Sequence, residues 1–130
     1  MKNYLYNMFA SIKNGQISKK SYVIHPYKKS CEGFLNVLWD EGFILGYKIL
    51  DSDKNFSKLK IFLKYQNNSP VINSIAALSK PSLKIYYSVK QLWKIDSSKS
   101  TIILSTSKGF KSLNECKKLN IGGEPVAVIK

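Results

Sequence analysis

The chain has 130 residues, 44% of them hydrophobic, with 21 cationic side chains against 8 carboxylates for a formal charge of +13 and a pI of about 9.7. That is enough apolar material for one ordinary domain or two small subdomains, which excludes a disordered basic tail, and the charge points to a polyanionic partner. All 21 cations are lysine, which excludes the bidentate guanidinium forks that read guanine in DNA and leaves discrimination to hydroxyls, amides, aromatic faces and shape, as in RNA recognition.

From Tyr4 onward, Leu5, Met8, Phe9 and Ile12 follow helical spacing, and Asn14-Gly15 supplies a stop, with Lys13 and Asn14 at the end of this first helix. Tyr22-Val23-Ile24 reads as a short strand closed by His25-Pro26. Phe34, Leu35, Leu38 and Trp39 form a second helical stripe ending at Gly42. Phe43–Leu50 and Leu59–Tyr65 then read as strands joined by the polar turn Asp51–Asn55, with Leu59, Ile61, Leu63 and Tyr65 on one face and Lys58, Lys60, Phe62 and Lys64 on the other. That lysine row is either a solvated outer face or a secondary phosphate contact.

The turn-rich Gln66–Pro70 segment divides the chain into a first subdomain, 1–66, of order α-β-α-β-β, and a β-rich second subdomain, 67–130. Strands are expected over Val71–Ile75, Leu83–Tyr87, Thr101–Ser105 and Pro125–Ile129, and a short helix over Val89–Ile95. The fold class is α+β in two subdomains.

Ser105-Thr106-Ser107-Lys108-Gly109 concentrates hydroxyls, a cation and a glycine, groups suited to phosphate oxygens, 2′-hydroxyls and base edges. Ser112–Glu115 has capping-box spacing, so Ser105–Lys111 is expected to be a loop running into a helix N-terminus that favours an anion, with Lys108 and Lys111 beside it. A plain hydrophilic connection explains the same residues. Gly122-Gly123 is expected to end that helix, the second glycine leaving backbone bare, and Glu124 accepts from a base amino group or pairs with a lysine. Around Lys80-Pro81-Ser82-Leu83-Lys84-Ile85-Tyr86-Tyr87, lysines and tyrosines flank an extended run, with Tyr87 able to sit in the core.

Cys31 and Cys116 are single and far apart, which gives neither a disulfide framework nor a zinc site and fits a reducing compartment. No signal peptide, transit peptide or membrane-spanning segment is legible, and the protein is expected to work where it is made. There is no P-loop or GxGxxG and no cofactor is implied. His25, the one histidine, has no nucleophile motif beside it, and Asp40-Glu41 are adjacent on a helix and point to different sides.

Six runs in order carry a family resemblance: Ile12–Gln16, Glu41–Ile44, Leu63–Tyr65, Ser79–Tyr86, Ser105–Gly109 and Gly122–Glu124. Together they resemble, end to end, the family of the eighth protein of the small ribosomal subunit. The resemblance implies a non-enzymatic, two-subdomain α+β protein that binds the central domain of small-subunit rRNA and supports subunit assembly and translation, beside neighbouring small-subunit proteins. It implies the main RNA contacts by Ser105, Thr106, Ser107, Tyr86, Gly122, Gly123 and Glu124 and contacts elsewhere on the RNA by Lys13, Asn14 and Lys80, with Lys84 and Lys108 as further RNA-binding candidates. The chain has lysine at 13, 80 and 84 where members of the family usually have arginine, and Ser82 where they commonly have glycine.

The lysine, Asn, Ile and Tyr bias is that of an AT-rich genome, so the expected location is a mitochondrial ribosome, with plastid and bacterial cytoplasm as alternatives. Neither a membrane nor a small-molecule substrate is expected as partner. The competing class is a small hydrolase or transferase acting on an anionic substrate through Ser107 or Asp40-Glu41.

Overall fold

The computed structural model describes residues 2–50, 57–78, 86–95 and 100–130. Its contacts gather the chain into two units, Met1–Asn73 and Ser74–Lys130. Each is α+β and built on antiparallel strands.

The first unit runs α1 (Lys2–Ile17), β1 (Tyr22–Pro26), α2 (Lys29–Asp40), β2 (Ile44–Leu50), β3 (Lys58–Leu63), then a small hairpin of β4 (Tyr65–Gln66) and β5 (Ser69–Pro70). The three long strands pair antiparallel in the order β1-β3-β2. Period-two alternation in β3 buries Leu59, Ile61 and Leu63, and the helical stripes bury Leu5, Met8, Phe9 and Ile12 from α1 and Phe34, Leu35 and Leu38 from α2. The Phe9 and Phe34 rings meet at 4.7 Å. Trp39, expected in the same stripe, is half exposed and stands edge-on to Tyr47 at 5.8 Å.

Asn14-Gly15 does not stop α1. The helix continues to Ile17 and closes with Lys19 in the left-handed region (φ 56°), the Lys20 amide donating to the Gly15 carbonyl and the Lys19 amide to that of Gln16. That is the Schellman pattern, with lysine where glycine is usual. Gly15 lies inside the helix for a packing reason: a Cβ there would stand 2.5 Å from Val23 Cγ1 and 3.0 Å from Leu63 Cδ1.

The strand expected over Val71–Ile75 starts only at Ile75. Asn67 and Asn68 both have positive φ, which closes a two-residue hairpin and pairs Gln66 with Ser69. The chain becomes extended only at Ser74, whose amide and carbonyl pair with Lys130. Contacts therefore separate the units after Asn73, where the sequence pattern alone puts a boundary after Gln66. The expected turn Asp51–Asn55 and residues 83–85 of the expected strand Leu83–Tyr87 lie outside the described residues.

The second unit contains β6 (Ile75–Ala77), α3 (Val89–Trp93), β7 (Thr101–Thr106), β8 (Gly109–Ser112), α4 (Leu113–Leu119) and β9 (Glu124–Ile129), its sheet ordered β6-β9-β7-β8. Leu92, Leu104, Leu113 and Cys116 form a core cluster, with Tyr87, Ile95, Ile102 and Ile121 packed on it. Pro125 sits in β9, an inner strand, beside a register shift between Ile103 and Leu104 of β7. A bulge is where an inner strand tolerates a residue without an amide donor.

Candidate nucleic-acid interface

The Ser-Thr-Ser segment is not a loop leading into a helix. Ser105 and Thr106 end β7, Ser107-Lys108 form a tight turn, and β8 returns antiparallel, pairing Ser105 with Phe110 and Thr106 with Gly109. Four strand residues thus stand between the turn and α4, which removes the expected anion site at that helix start. Ser112 uses the site itself: nearly fully buried, its Oγ accepts from the Glu115 amide at 3.3 Å. The reciprocal capping box forms at α3, where Ser88 Oγ accepts from the Gln91 amide and Gln91 Oε1 accepts from the Ser88 amide. The S-x-x-Q spacing of Ser88–Gln91 is the sequence signal of that box.

The three hydroxyls of the segment differ in role. Thr106 Oγ1 donates to the Gly109 carbonyl at 2.7 Å and accepts from the Lys108 amide at 3.1 Å, so its proton is committed to holding the turn. Ser105 and Ser107 are exposed, as is Lys108. Lys111, expected beside them, is half-buried in β8.

Gly122-Gly123 is not the cap of α4. Asn120 takes the left-handed conformation (φ 54°) and ends the helix, and neither glycine has positive φ. Their small size serves close approach instead. A Cβ at Gly123 would lie 2.8 Å from the Ser105 carbonyl oxygen and 2.9 Å from Thr106 Cγ2, and one at Gly122 would lie 2.9 Å from the Tyr86 hydroxyl and collide with the Tyr87 carbonyl. Gly123 exchanges two backbone bonds with Tyr87, at 2.8 and 3.0 Å. Glu124, next in line, is the ladder partner of Ser105 on β7.

Three separate stretches of sequence therefore meet on one patch of the second unit. Tyr87 turns onto the core, while Tyr86 is 68% exposed and lies over Gly122. Exposed Ser105 and half-buried Gly122 and Glu124 line up beside it, while Gly123 is buried with its amide and carbonyl both taken by Tyr87. Among the described residues no lysine pairs with the Glu124 carboxylate. Lys117, by contrast, is already engaged: its ammonium donates to the Ile95 carbonyl at 3.2 Å and stands 5.4 Å from the Trp93 ring centre.

Lys13 and Asn14 belong to the first unit, both exposed on α1. Asn14 lines an open groove of about 740 Å³ with Ser11, Ser18, Lys20 and Ser21. Lys80 and Lys84 lie outside the described residues.

Ser107 stands in an open turn, and among the described residues no base is hydrogen-bonded to it. His25 is buried in β1, which holds its imidazole below the usual pKa, against a weaker opposing effect of the hydrogen bond it donates to the Tyr4 backbone. Both cysteines are buried and free, and burial pushes each thiol up, away from the thiolate that nucleophilic or metal chemistry needs. No described helix is long and apolar enough to cross a membrane.

The family model for ribosomal protein S8 matches residues 3–129. The chain belongs to the ribosomal protein S8 family. The small ribosomal subunit protein uS8 of Blochmanniella pennsylvanica is 42% identical over 130 residues, covering 99% of this chain and 98% of that protein. The uS8 proteins of Wigglesworthia glossinidia brevipalpis and Alcanivorax borkumensis are each 37% identical, covering 100% and 99% of this chain and 98% of each relative. Members of this family are structural ribosomal proteins and not enzymes, which removes the hydrolase or transferase reading.

Proposed function

We propose that this protein is a constituent of the small ribosomal subunit that binds the central domain of small-subunit rRNA through its second unit and supports subunit assembly. The observation that carries the reading is the double backbone bond between Gly123 and Tyr87. It holds Tyr86, Gly122, Glu124 and Ser105 in one register, with Gly123 itself buried. Such a surface offers an aromatic face for a base or ribose, and hydroxyl and carboxylate groups for base edges and 2′-hydroxyls. Thr106 shapes the turn that presents Ser107 and Lys108. Lys13 and Asn14, with Lys80 and Lys84, add contacts to RNA outside this patch, and neighbouring small-subunit proteins complete the surroundings.

The named relatives are bacterial, which supports a bacterial-type small subunit and a bacterial cytoplasm. A mitochondrial location rests on the lysine-only, Asn- and Ile-rich composition.

Titration of a central-domain rRNA fragment tests the patch. Ser105→Ala and Ser107→Ala are expected to cost about 1–3 kcal/mol for each base-reading contact removed. Unchanged affinity in both would remove the segment from the interface. Cosedimentation of tagged protein with small subunits tests the assignment as a whole.

A further inference from the structure

We propose that the outer face of the β1-β3-β2 sheet is a second RNA contact, taking single-stranded nucleotides by stacking a base on Tyr22 and Phe62 and holding the adjoining phosphates with Lys48, Lys58 and Lys60. The site lies in the first unit and goes beyond the reading of the Tyr86–Glu124 patch, on which it does not depend.

Strand register places these residues. Because Leu59, Ile61 and Leu63 of β3 face the core, Lys58, Lys60 and Phe62 face outward. Antiparallel pairing then sets Tyr22 directly across from Phe62, Ile24 across from Lys60, and Lys48 across from Lys60 on the other side. The result is an aromatic pair with an aliphatic neighbour, bordered by lysines on adjacent strands. Tyr22 is 43% exposed and Ile24 42%.

Charge selects the occupant. None of the three strands contains an Asp or Glu, and Lys48 and Lys60 are like charges placed directly opposite, an arrangement that costs stability when nothing neutralises it. Lys60 finds its substitute partner in the rings, with its ammonium 4.2 Å from the Tyr22 centroid and 5.4 Å from that of Phe62. A cation on an exposed ring is weakly held. A nucleotide satisfies both halves of the site at once, its base replacing the ammonium on the ring and its phosphate receiving the displaced lysine. Only unpaired nucleotides present a free base face, so the site selects single strands over duplex.

The test uses the full chain carrying Ser105→Ala, Thr106→Ala and Ser107→Ala, so that the other patch is weakened, and a fluorescently labelled single-stranded adenosine oligomer. Tyr22→Ala should weaken binding about tenfold, the size of one base stack, while Tyr22→Phe, which keeps the ring, should bind as the parent does. Lys48→Gln with Lys60→Gln should reduce the slope of log affinity against log salt by about 1.4, two phosphates' worth for a single strand. Unchanged affinity and slope in these variants would overturn the proposal. So would variants that bind the oligomer normally but enter small subunits poorly, because that result assigns the face to a protein neighbour. Failure of the Tyr86–Glu124 reading would appear separately, as no effect of the Ser105 and Ser107 substitutions on the central-domain fragment.

Discussion

A methyl group added at Gly123 would have no space, because the Ser105 carbonyl oxygen and the Thr106 methyl already stand within 2.9 Å of where it would go. One of those atoms is backbone in a paired strand, so rotamer change alone cannot relieve the overlap. Gly123→Ala is therefore expected to destabilise the second unit by roughly 1–3 kcal/mol, as overpacking does, measured as a shift of the urea midpoint at constant slope. Affinity for the rRNA fragment should fall in the same variant, since displacing Gly123 from β7 disturbs its backbone bonds to Tyr87 and with them the patch. Thr106 teaches the complementary lesson. It looks like the middle one of three reading hydroxyls, yet its bonds to Gly109 and Lys108 make it the fastener of the turn.

At the scale of the element, α1 shows local preference and packing in direct conflict. Glycine inside a helix costs about 1 kcal/mol relative to alanine, so Gly15→Ala should stabilise an isolated α1. In the protein, the added Cβ would stand 2.5 Å from Val23 Cγ1 on β1, and overpacking of about 1–3 kcal/mol outweighs the gain in propensity. The expected outcome is a net loss of stability together with higher helicity in a peptide of residues 2–17, a pair of results that circular dichroism can compare. The β7-β8 hairpin makes the same point about reading short elements. Phe110 and Lys111 look like the interior of a polar loop, and only pairing with Ser105 and Leu104 makes them a strand.

Over the whole molecule, a charge of +13 carried entirely by lysine predicts affinity for RNA that falls steeply with salt, by about 0.7–0.9 in log–log slope for each phosphate neutralised. The lysines are not equivalent in this respect. Lys108 is exposed on the turn, so Lys108→Gln should flatten the salt dependence by about one such step. Lys117 is held by the Ile95 carbonyl and the Trp93 ring, so Lys117→Gln should leave the slope unchanged and lower stability instead. Titrations of the rRNA fragment at several salt concentrations separate the two. Equal effects of both substitutions would mean that charge acts without regard to position.

What the sequence by itself determined was whatever depends on neighbours along the chain: the stripes of α1 and α2, the alternation of β3, the start of α4 at Ser112, and the order of motifs that identified the family. Periodicity is a local property, and so is side-chain capping. What only the tertiary structure decided was how distant segments use their backbone. Gly15 and Gly122-Gly123 looked like helix ends, yet each is small because a side chain or strand from elsewhere in its unit passes close, while Lys19 and Asn120 end the helices. Lys48 and Lys60 are 12 positions apart in sequence and opposite each other in the sheet, an arrangement that is set by register and that composition does not contain.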